Sequence, residues 1–142
     1  MNRRFVVPTD GSDRARHAFS YVVEMFPNPD VTALHVVDPV EAGYGGQTDD
    51  PGHASDWRDT EGTNADGTFE VIRDLAAEAE VTLSTRVVEG QPAEAIVAFA
   101  EEGEFDGIVM GSQGRSGVSR VLLGSVAESV VGNSSIPVTV VR

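Results

Sequence analysis

Hydrophobic residues along the chain follow two alternating patterns, short continuous apolar runs and longer stretches with helical spacing. The first apolar run covers residues 5–7, after Arg4, and breaks at Pro8, which predicts a buried strand that ends near Val7. Helical spacing follows over residues 15–26 and stops at two prolines. Residues 31–37 form a second, mostly apolar run, which is typical of a parallel strand covered on both faces.

The same alternation continues to the end of the chain. Helical spacing covers about residues 68–80, with Ala79 among the inward positions, and the next helix has Pro92 in its first turn. The last helix starts at Ser125, because Ser125 and Glu128 have the spacing of a capping box. The strands predicted between these helices cover residues 81–89, 107–110 and 137–141.

The regular alternation of strands and helices predicts an α/β fold. Right-handed crossovers between parallel strands place helices on both faces of the sheet. We predict one domain over residues 1–142, an open, doubly wound, Rossmann-like sheet of five parallel strands in the order 3-2-1-4-5. Residues 39–66 interrupt the pattern with seven acids, one arginine and five glycines, so we expect an acidic flexible loop within the domain.

The charge balance limits the partners that the surface can attract. The chain has 23 acidic and 10 basic residues, a net charge of -13, and every basic residue is arginine. Such a surface repels nucleic acids and anionic lipids, so neither is expected as a partner. Two explanations fit: adaptation to a salt-rich cytoplasm that screens self-repulsion, and an acidic mesophilic protein with GC-biased codons. We favour the first, because a bias towards arginine does not by itself add acids.

Other features of the composition narrow the class of protein. No apolar run approaches the ~20 residues that a membrane helix needs, and the N-terminus does not fit a signal peptide, so we expect a cytoplasmic protein. There is no cysteine, which excludes disulfides and thiolate metal ligands. His17, His35 and His53 have no metal-ligand spacing, and His35, on an apolar strand, is expected to be a hydrogen-bonded core residue.

The stretch between the fourth strand and the last helix differs from the rest of the chain. Residues 111–125 read GSQGRSGVSRVLLGS, with four glycines and two arginines, and residues 107–127 contain no acid. Ligands of open parallel sheets bind beyond the carboxyl ends of the strands. Glycines let backbone N–H groups approach an anion, and a helix N-terminus adds partial positive charge. With Arg115 and Arg120, these features predict a site for nucleotide phosphates.

The glycine spacing distinguishes this stretch from other phosphate loops. It has neither the Gly-Lys-Ser/Thr of a Walker A loop nor Gly-x-Gly-x-x-Gly, and reads Gly111-x2-Gly114-x9-Gly124-Ser125. Together with VPTDGS after the first strand, LHVVD at the second and IPVTVVR at the end, it resembles the ATP-binding, UspA-like subgroup of the universal stress protein family. The resemblance covers the chain apart from the acidic loop, and the composition adds the expectation of a halophilic archaeal source.

The resemblance implies a fold like that of the adenine nucleotide alpha hydrolases and a bound ATP, ADP or AMP. In the family pattern Val36 contacts adenine through its backbone, and Asp10 lies near the ribose and the metal. Mg²⁺ would bridge phosphate oxygens that the glycines, Arg115 and the helix start at Ser125 hold. The nucleotide-binding residues implied in this way are Pro8, Thr9, Asp10, Val36, Met110, Gly111, Gly114, Arg115, Gly124, Ser125 and Val126.

Several of these residues also have a purely structural explanation, which stays open at this point. Gly124 can serve only to permit a turn, Asp10 can cap the first helix, and Arg120 can be a solvated surface residue. Ser125 fits an N-cap paired with Glu128, and a hydroxyl at a helix start can cap the helix and contact a phosphate at once.

We predict a nucleotide-binding protein with a regulatory or stress-response role that is not an efficient enzyme. The glycine stretch has no evident general base, and Gln113 is the candidate to orient a water, so slow ATP hydrolysis stays open. One alternative is an enzyme of related fold that adenylates a substrate, although its Ser-Gly-Gly-x-Asp-Ser loop is not found at residues 9–13. A second alternative is a dimeric scaffold that binds no nucleotide, against which the intact glycine motif argues.

The C-terminal strand predicts the oligomeric state. Residues 137–141 carry no charge, and the predicted strand order leaves this strand at the sheet edge. An uncharged edge strand tends to pair with another strand, and pairing with a second copy across a two-fold axis closes the assembly. Many members of the family that the chain resembles dimerise in this way. We therefore expect a homodimer through the C-terminal strand.

Overall fold

The computed structural model describes residues 3–9, 13–38, 67–111 and 124–141, and the predicted acidic loop lies outside them. The strands are β1 (Arg4–Pro8), β2 (Asp30–Val37), β3 (Thr82–Glu89), β4 (Gly107–Gly111) and β5 (Val138–Val141). The helices are α1 (Asp13–Met25), α2 (helical over residues 67–79), α3 (Pro92–Glu102) and α4 (Ser125–Asn133). In the described part of the chain, no helix is both long and apolar enough to cross a membrane.

The five strands form one parallel sheet with β1 at its centre. Their order is β3-β2-β1-β4-β5, which confirms the predicted order. In β1, Val6 is paired with Thr32 of β2 on one side and with Ile108 of β4 on the other. The chain winds outward from β1 through β2 to β3, and then returns across β1 to form β4 and β5. The direction of winding therefore reverses between β1 and β4.

Strand β1 belongs to two hydrophobic cores, because successive strand residues point to opposite faces of the sheet. Val7 packs in a first core with helices α1 and α2, whereas Val6 packs in a second core with α3 and α4. Both side chains are completely buried. Burial on both faces explains why the apolar run of this strand is continuous rather than alternating.

The first core joins the inner stripes of α1 and α2. The buried positions of α1 lie within the predicted helical spacing of residues 15–26 and are Ala15, Ala18, Phe19 and Val22. In α2 the prediction is wrong at Ala79, which is exposed, and it missed Phe69, which is buried. Phe69, Ile72 and Ala76 share one face at helical spacing, whereas Ala79 is the last helical residue and lies past that stripe.

The second core forms on the opposite face of the sheet under α3 and α4. Pro92 occupies the first turn of α3, as predicted, where an N–H would have no partner within the helix. The side chain of Gln91 caps this helix by accepting a hydrogen bond of 2.9 Å from the N–H of Glu94. Ile96 and Ala100 are buried in this core.

Strand β1 extends one residue further than predicted, because Pro8 is its last residue. Proline cannot donate a ladder hydrogen bond and is therefore confined to strand ends and edges. The following residue supplies a donor: the N–H of Thr9 donates to the carbonyl of Leu34 at 2.7 Å. The proline thus ends the strand while the backbone stays bonded to β2.

One carboxylate links the connection between α4 and β5 to helix α3. Ser135 donates two hydrogen bonds to Oε2 of Glu101, from its backbone N–H at 2.8 Å and from its hydroxyl at 2.7 Å. The hydroxyl, and to a smaller extent the backbone N–H, stabilises the charged carboxylate and lowers the pKa of Glu101. The ionised form of Glu101 is therefore the one that holds the segment before β5.

Removing this hydroxyl should raise the pKa of Glu101. We expect Ser135→Ala to move the pKa upward, towards the ordinary value of a glutamate, because the larger cause of the shift is lost. A carboxylate whose pKa is lowered by folding adds stability above its unfolded pKa and loses that contribution as the pH falls through its folded pKa. Between the folded and the unfolded pKa of Glu101, the free energy of unfolding of the variant should accordingly depend less on pH than that of the wild type.

An NMR titration of the Glu101 side chain measures the shift directly. Ser129→Ala, which changes an exposed serine on α4, is the matched control and should leave the titration of Glu101 unaltered. Identical titration curves for Glu101 in the wild type and in Ser135→Ala would show that the hydroxyl does not stabilise the carboxylate.

Candidate functional site

A cavity lies at the carboxyl edge of the sheet, where the direction of winding reverses between β1 and β4. Its volume is about 730 Å³, within the range of roughly 300–1,000 Å³ that is usual for small-molecule sites. Strands β1, β2 and β4 contribute residues at or next to their carboxyl ends. Helices α1, α3 and α4 contribute residues near their N-termini.

The described residues of the predicted nucleotide site all lie along this cavity. They come from segments that are far apart in the sequence and that the parallel sheet brings to one edge. These residues are Pro8, Thr9, Val36, Met110, Gly111, Gly124, Ser125 and Val126. The remaining candidates lie outside the described residues, and these are Asp10, Gly114 and Arg115, together with Gln113 and Arg120.

Thr9, at the end of β1, uses both of its hydrogen-bond donors within the chain. Its backbone N–H donates to Leu34, and its hydroxyl donates to the carbonyl of Val7 at 3.0 Å. The residue is only 4% exposed. Its carbonyl and hydroxyl oxygens still have lone pairs, so Thr9 can offer a ligand acceptors but no donor.

His35 lies at the wall of the cavity and is half-buried, whereas its position on an apolar strand predicted core burial. The predicted hydrogen bond is present, because Nδ1 lies 3.0 Å from the carbonyl oxygen of Thr9. A carbonyl can only accept, so Nδ1 is the donor in this contact. The ring meets Phe69 edge-on, with centroids 6.5 Å apart. Because His35 is close to the end of β2, it reaches the cavity rather than the core.

The cap of helix α4 lies one residue earlier than the sequence pattern predicts. Gly124 is the N-cap, with extended backbone angles of φ -66° and ψ 157°, and no side chain caps the helix. Ser125 is the first helical residue, so the predicted capping box with Glu128 is wrong. The N–H of Glu128 instead makes a helical hydrogen bond of 2.9 Å to the carbonyl of Gly124, which puts Glu128 one position too deep for the box.

The start of α4 directs backbone donors towards the cavity. The first N–H groups of an α-helix have no acceptor within the helix, and here the N–H of Glu128 makes the first bond of that kind. Ser125, Val126 and Ala127 precede it, and all three line the cavity. Such a helix start is suited to an anion, because the helix dipole adds to the N–H groups.

Gly111 is required by the packing of α1 against β4. A β-carbon at Gly111 would lie 2.5 Å from the carbonyl oxygen of Arg14 and 2.6 Å from its Cβ, closer than real β-carbons approach other atoms. Any side chain at this position would therefore push the first turn of α1 away from the sheet. The first glycine of the motif thus has a packing role beside the phosphate contact that the resemblance implies.

The described lining of the cavity carries charge of the opposite sign to that of the whole chain. Among the described lining residues there is no acid, and Arg14 supplies a positive charge, whereas the chain carries -13. Sequence patterns did not reveal Arg14, because a lone arginine on a helix belongs to no motif. They also did not predict six other residues as part of the cavity wall, which are Ala15, Leu34, His35, Pro92, Ile96 and Ala127.

The described residues offer no ready-made metal site. No group of three or more histidines and carboxylates that could hold a metal ion occurs among them. Asp10, the residue that the resemblance implies for the metal, lies outside the described part of the chain.

The wall of the cavity contains hydrogen-bond donors from some segments and hydrogen-bond acceptors from others. The start of α4 and Arg14 carry hydrogen-bond donors, whereas Thr9 offers only acceptors. Apolar side chains such as those of Leu34 and Ile96 lie among them. The arrangement can hold a molecule that has an anionic end, a group with hydrogen-bond donors and an apolar surface.

Comparison with known proteins identifies the family of the chain. The model of the universal stress protein family matches residues 1–142. Universal stress protein MJ0531 of Methanocaldococcus jannaschii is 39% identical over 153 residues, a match that covers 100% of this chain and 83% of that protein.

Solved structures share the fold over nearly the whole chain. The structure of MJ0577 has a TM-score of 0.82 and 30% sequence identity, and the match covers 99% of this chain and 96% of that one. A universal stress protein solved in complex with cAMP has a TM-score of 0.74 and 28% identity, with 99% and 97% coverage. The family match along the entire sequence and the shared architecture lead to one conclusion: the chain belongs to the universal stress protein family.

Proposed function

We propose that this universal stress protein binds an adenine nucleotide, ATP foremost, and that binding serves a regulatory role in the stress response. The observation that carries the proposal is a cavity in a strongly acidic chain whose described lining has no acid and includes the backbone donors at the start of α4. Donors of this kind match phosphate groups. The relative solved with cAMP supports an adenine nucleotide as the class of ligand.

The positions of donors and acceptors favour one orientation of the nucleotide. Phosphates fit the donor groups at residues 124–126, where glycine leaves room for the ligand at the helix start. The adenosine part fits the ends of β1 and β2, where Thr9 offers acceptors to the ribose hydroxyls and Val36 offers its backbone to adenine. In this proposal Gly114 and Arg115 complete the phosphate side, and Asp10 lies near the ribose and Mg²⁺.

Binding, with at most slow hydrolysis, is the proposed activity. Rapid phosphoryl transfer needs a positioned water and a group that stabilises charge on the transferred phosphate. The described lining has no carboxylate that could orient such a water. Gln113 is the proposed candidate for whatever slow turnover occurs.

Replacing Gly124 by valine should abolish tight ATP binding. The backbone at Gly124 has angles that any residue adopts, so valine causes no backbone strain, but its side chain would occupy the space between the helix start and a phosphate. We expect the affinity for ATP to fall by at least about tenfold, a loss of roughly 1.4 kcal/mol, in titration calorimetry.

The matched control is Gly132→Val, the same change near the other end of α4. A β-carbon at Gly132 meets no atom within 4 Å, and the residue is exposed. This variant should bind ATP as the wild type does. If Gly124→Val binds ATP as tightly as Gly132→Val, the phosphates do not lie at the start of α4.

We further propose that the acidic surface is an adaptation to a salt-rich cytoplasm, as in a halophilic archaeon. Salt screens repulsion among the acids and so favours the compact state. Raising KCl from low to molar concentration should increase the Tm by roughly 5 °C or more, which for a chain of this size corresponds to a gain of about 2 kcal/mol. Sorbitol at matched osmolality is the control, and an equal rise in sorbitol would argue against charge screening.

A homodimer through β5 is the proposed assembly. β5 lies at the edge of the sheet, and its four residues are half-buried and uncharged. The carbonyl of Pro137 accepts a hydrogen bond from the N–H of Ile108 at 2.9 Å. In a parallel ladder this register directs the N–H of Thr139 back to β4, so the N–H groups of Val138 and Val140 point outward and are free to pair with a second copy.

Proline at Val140 should therefore weaken the dimer while the chain stays folded. Proline is tolerated on an edge strand where the lost N–H points away from the sheet. Sedimentation equilibrium in molar KCl should give about twice the 15.0 kDa chain mass for the wild type and a lower mass for Val140→Pro. Thr139→Val, which keeps every backbone N–H, is the control and should remain dimeric. A wild type that stays monomeric at micromolar concentration contradicts the proposed assembly.

A further inference from the structure

We propose that Arg14 binds the phosphate groups of the nucleotide, as a second positive element of the site beside the start of α4. This inference rests on the proposed function and adds a residue from α1, outside the glycine motif. Three independent features of Arg14 support it: its position on the cavity, the sign of its charge and its place in the helix.

The position of Arg14 is held by the backbone of the glycine motif. Arg14 is half-buried and lines the cavity together with Gly111. The missing side chain of Gly111 lets the backbone of Arg14 approach so closely that a β-carbon there would lie 2.5 Å from its carbonyl oxygen. The first turn of α1 therefore packs directly against Gly111 at the end of β4.

The sign of the charge matters because the rest of the chain is so acidic. Arg14 is the one arginine among the described lining residues, and those lining residues include no Asp or Glu. Arginine stays protonated at all relevant pH values, and its planar guanidinium donates two parallel hydrogen bonds to phosphate oxygens. Within the described lining it is thus the side chain best suited to hold a polyphosphate.

The place of Arg14 in α1 is unfavourable for the helix alone. It is the second residue of α1, within the first turn, where the helix dipole disfavours a positive charge. A residue that breaks a local rule commonly marks a functional site. The same dipole that opposes Arg14 adds to its attraction for an anion in the cavity.

The experiment compares ATP, adenosine and inorganic tripolyphosphate as ligands of the full chain in titration calorimetry at fixed salt. Arg14→Gln should weaken ATP and tripolyphosphate about tenfold, a factor that corresponds to roughly 1.4 kcal/mol, and leave adenosine unchanged. The ATP affinity of Arg14→Lys should lie between those of the wild type and Arg14→Gln, because lysine keeps the charge but not the paired donors. Arg16→Gln is the matched control, since Arg16 is exposed on the same helix and does not line the cavity.

The outcomes separate this inference from the proposed function. If Gly124→Val loses ATP while Arg14→Gln binds it within twofold of the wild type, the nucleotide site stands and the role of Arg14 is wrong. Equal losses for ATP and adenosine in Arg14→Gln would also overturn the role, because they would indicate a general disturbance of the fold. If the wild type binds no ATP, the proposed function fails, and tripolyphosphate binding still decides whether Arg14 holds an anion: loss in Arg14→Gln supports it, and no binding or no loss contradicts it.

Discussion

The burial of strand β1 on both faces is the constraint on which the rest of the structure depends. Val6 and Val7 are completely buried on opposite sides, so two separate helical layers have to cover the same five-residue strand. Helices α1 and α2 cover one side, and α3 and α4 cover the other. Right-handed crossovers can supply both layers only if the chain reverses its direction of winding at β1. The cavity lies at that reversal, because the crossover helices leave the carboxyl edge of the sheet open between them.

The described lining of the cavity differs in charge from the acidic chain as a whole. Its described lining excludes carboxylates altogether, and its positive groups are an arginine and the start of a helix rather than a dense basic patch. Electrostatic attraction acts at close range when salt screens the more distant acids. A salt-rich environment would therefore weaken the repulsion by the remote surface more than it weakens the contacts inside the cavity.

Sequence patterns predicted the order and type of every described element, because continuous apolar runs and helical spacing follow directly from burial on two faces or one. They failed where the outcome depends on details of three-dimensional packing. Ser125 and Glu128 have the spacing of a capping box, yet the helix takes Gly124 as its cap and Ser125 is already its first helical residue. The candidate glycines were recognised from their spacing, whereas Arg14 was not, since only the fold brings the first turn of α1 to the end of β4.

The N-cap of helix α4 is a glycine, which has no side chain to cap the helix, so the stability of the helix start depends on what binds there. A glycine cap costs the helix only a few tenths of a kcal/mol relative to serine or aspartate, so the fold tolerates it easily. A backbone N–H that a serine or aspartate cap would satisfy can instead donate to a solute. A solute that binds only the folded protein shifts the folding equilibrium by mass action, and the shift grows with the logarithm of its concentration. Ala127 and Val130 of the same helix are buried in the second core, so such binding would stabilise the helix together with that core.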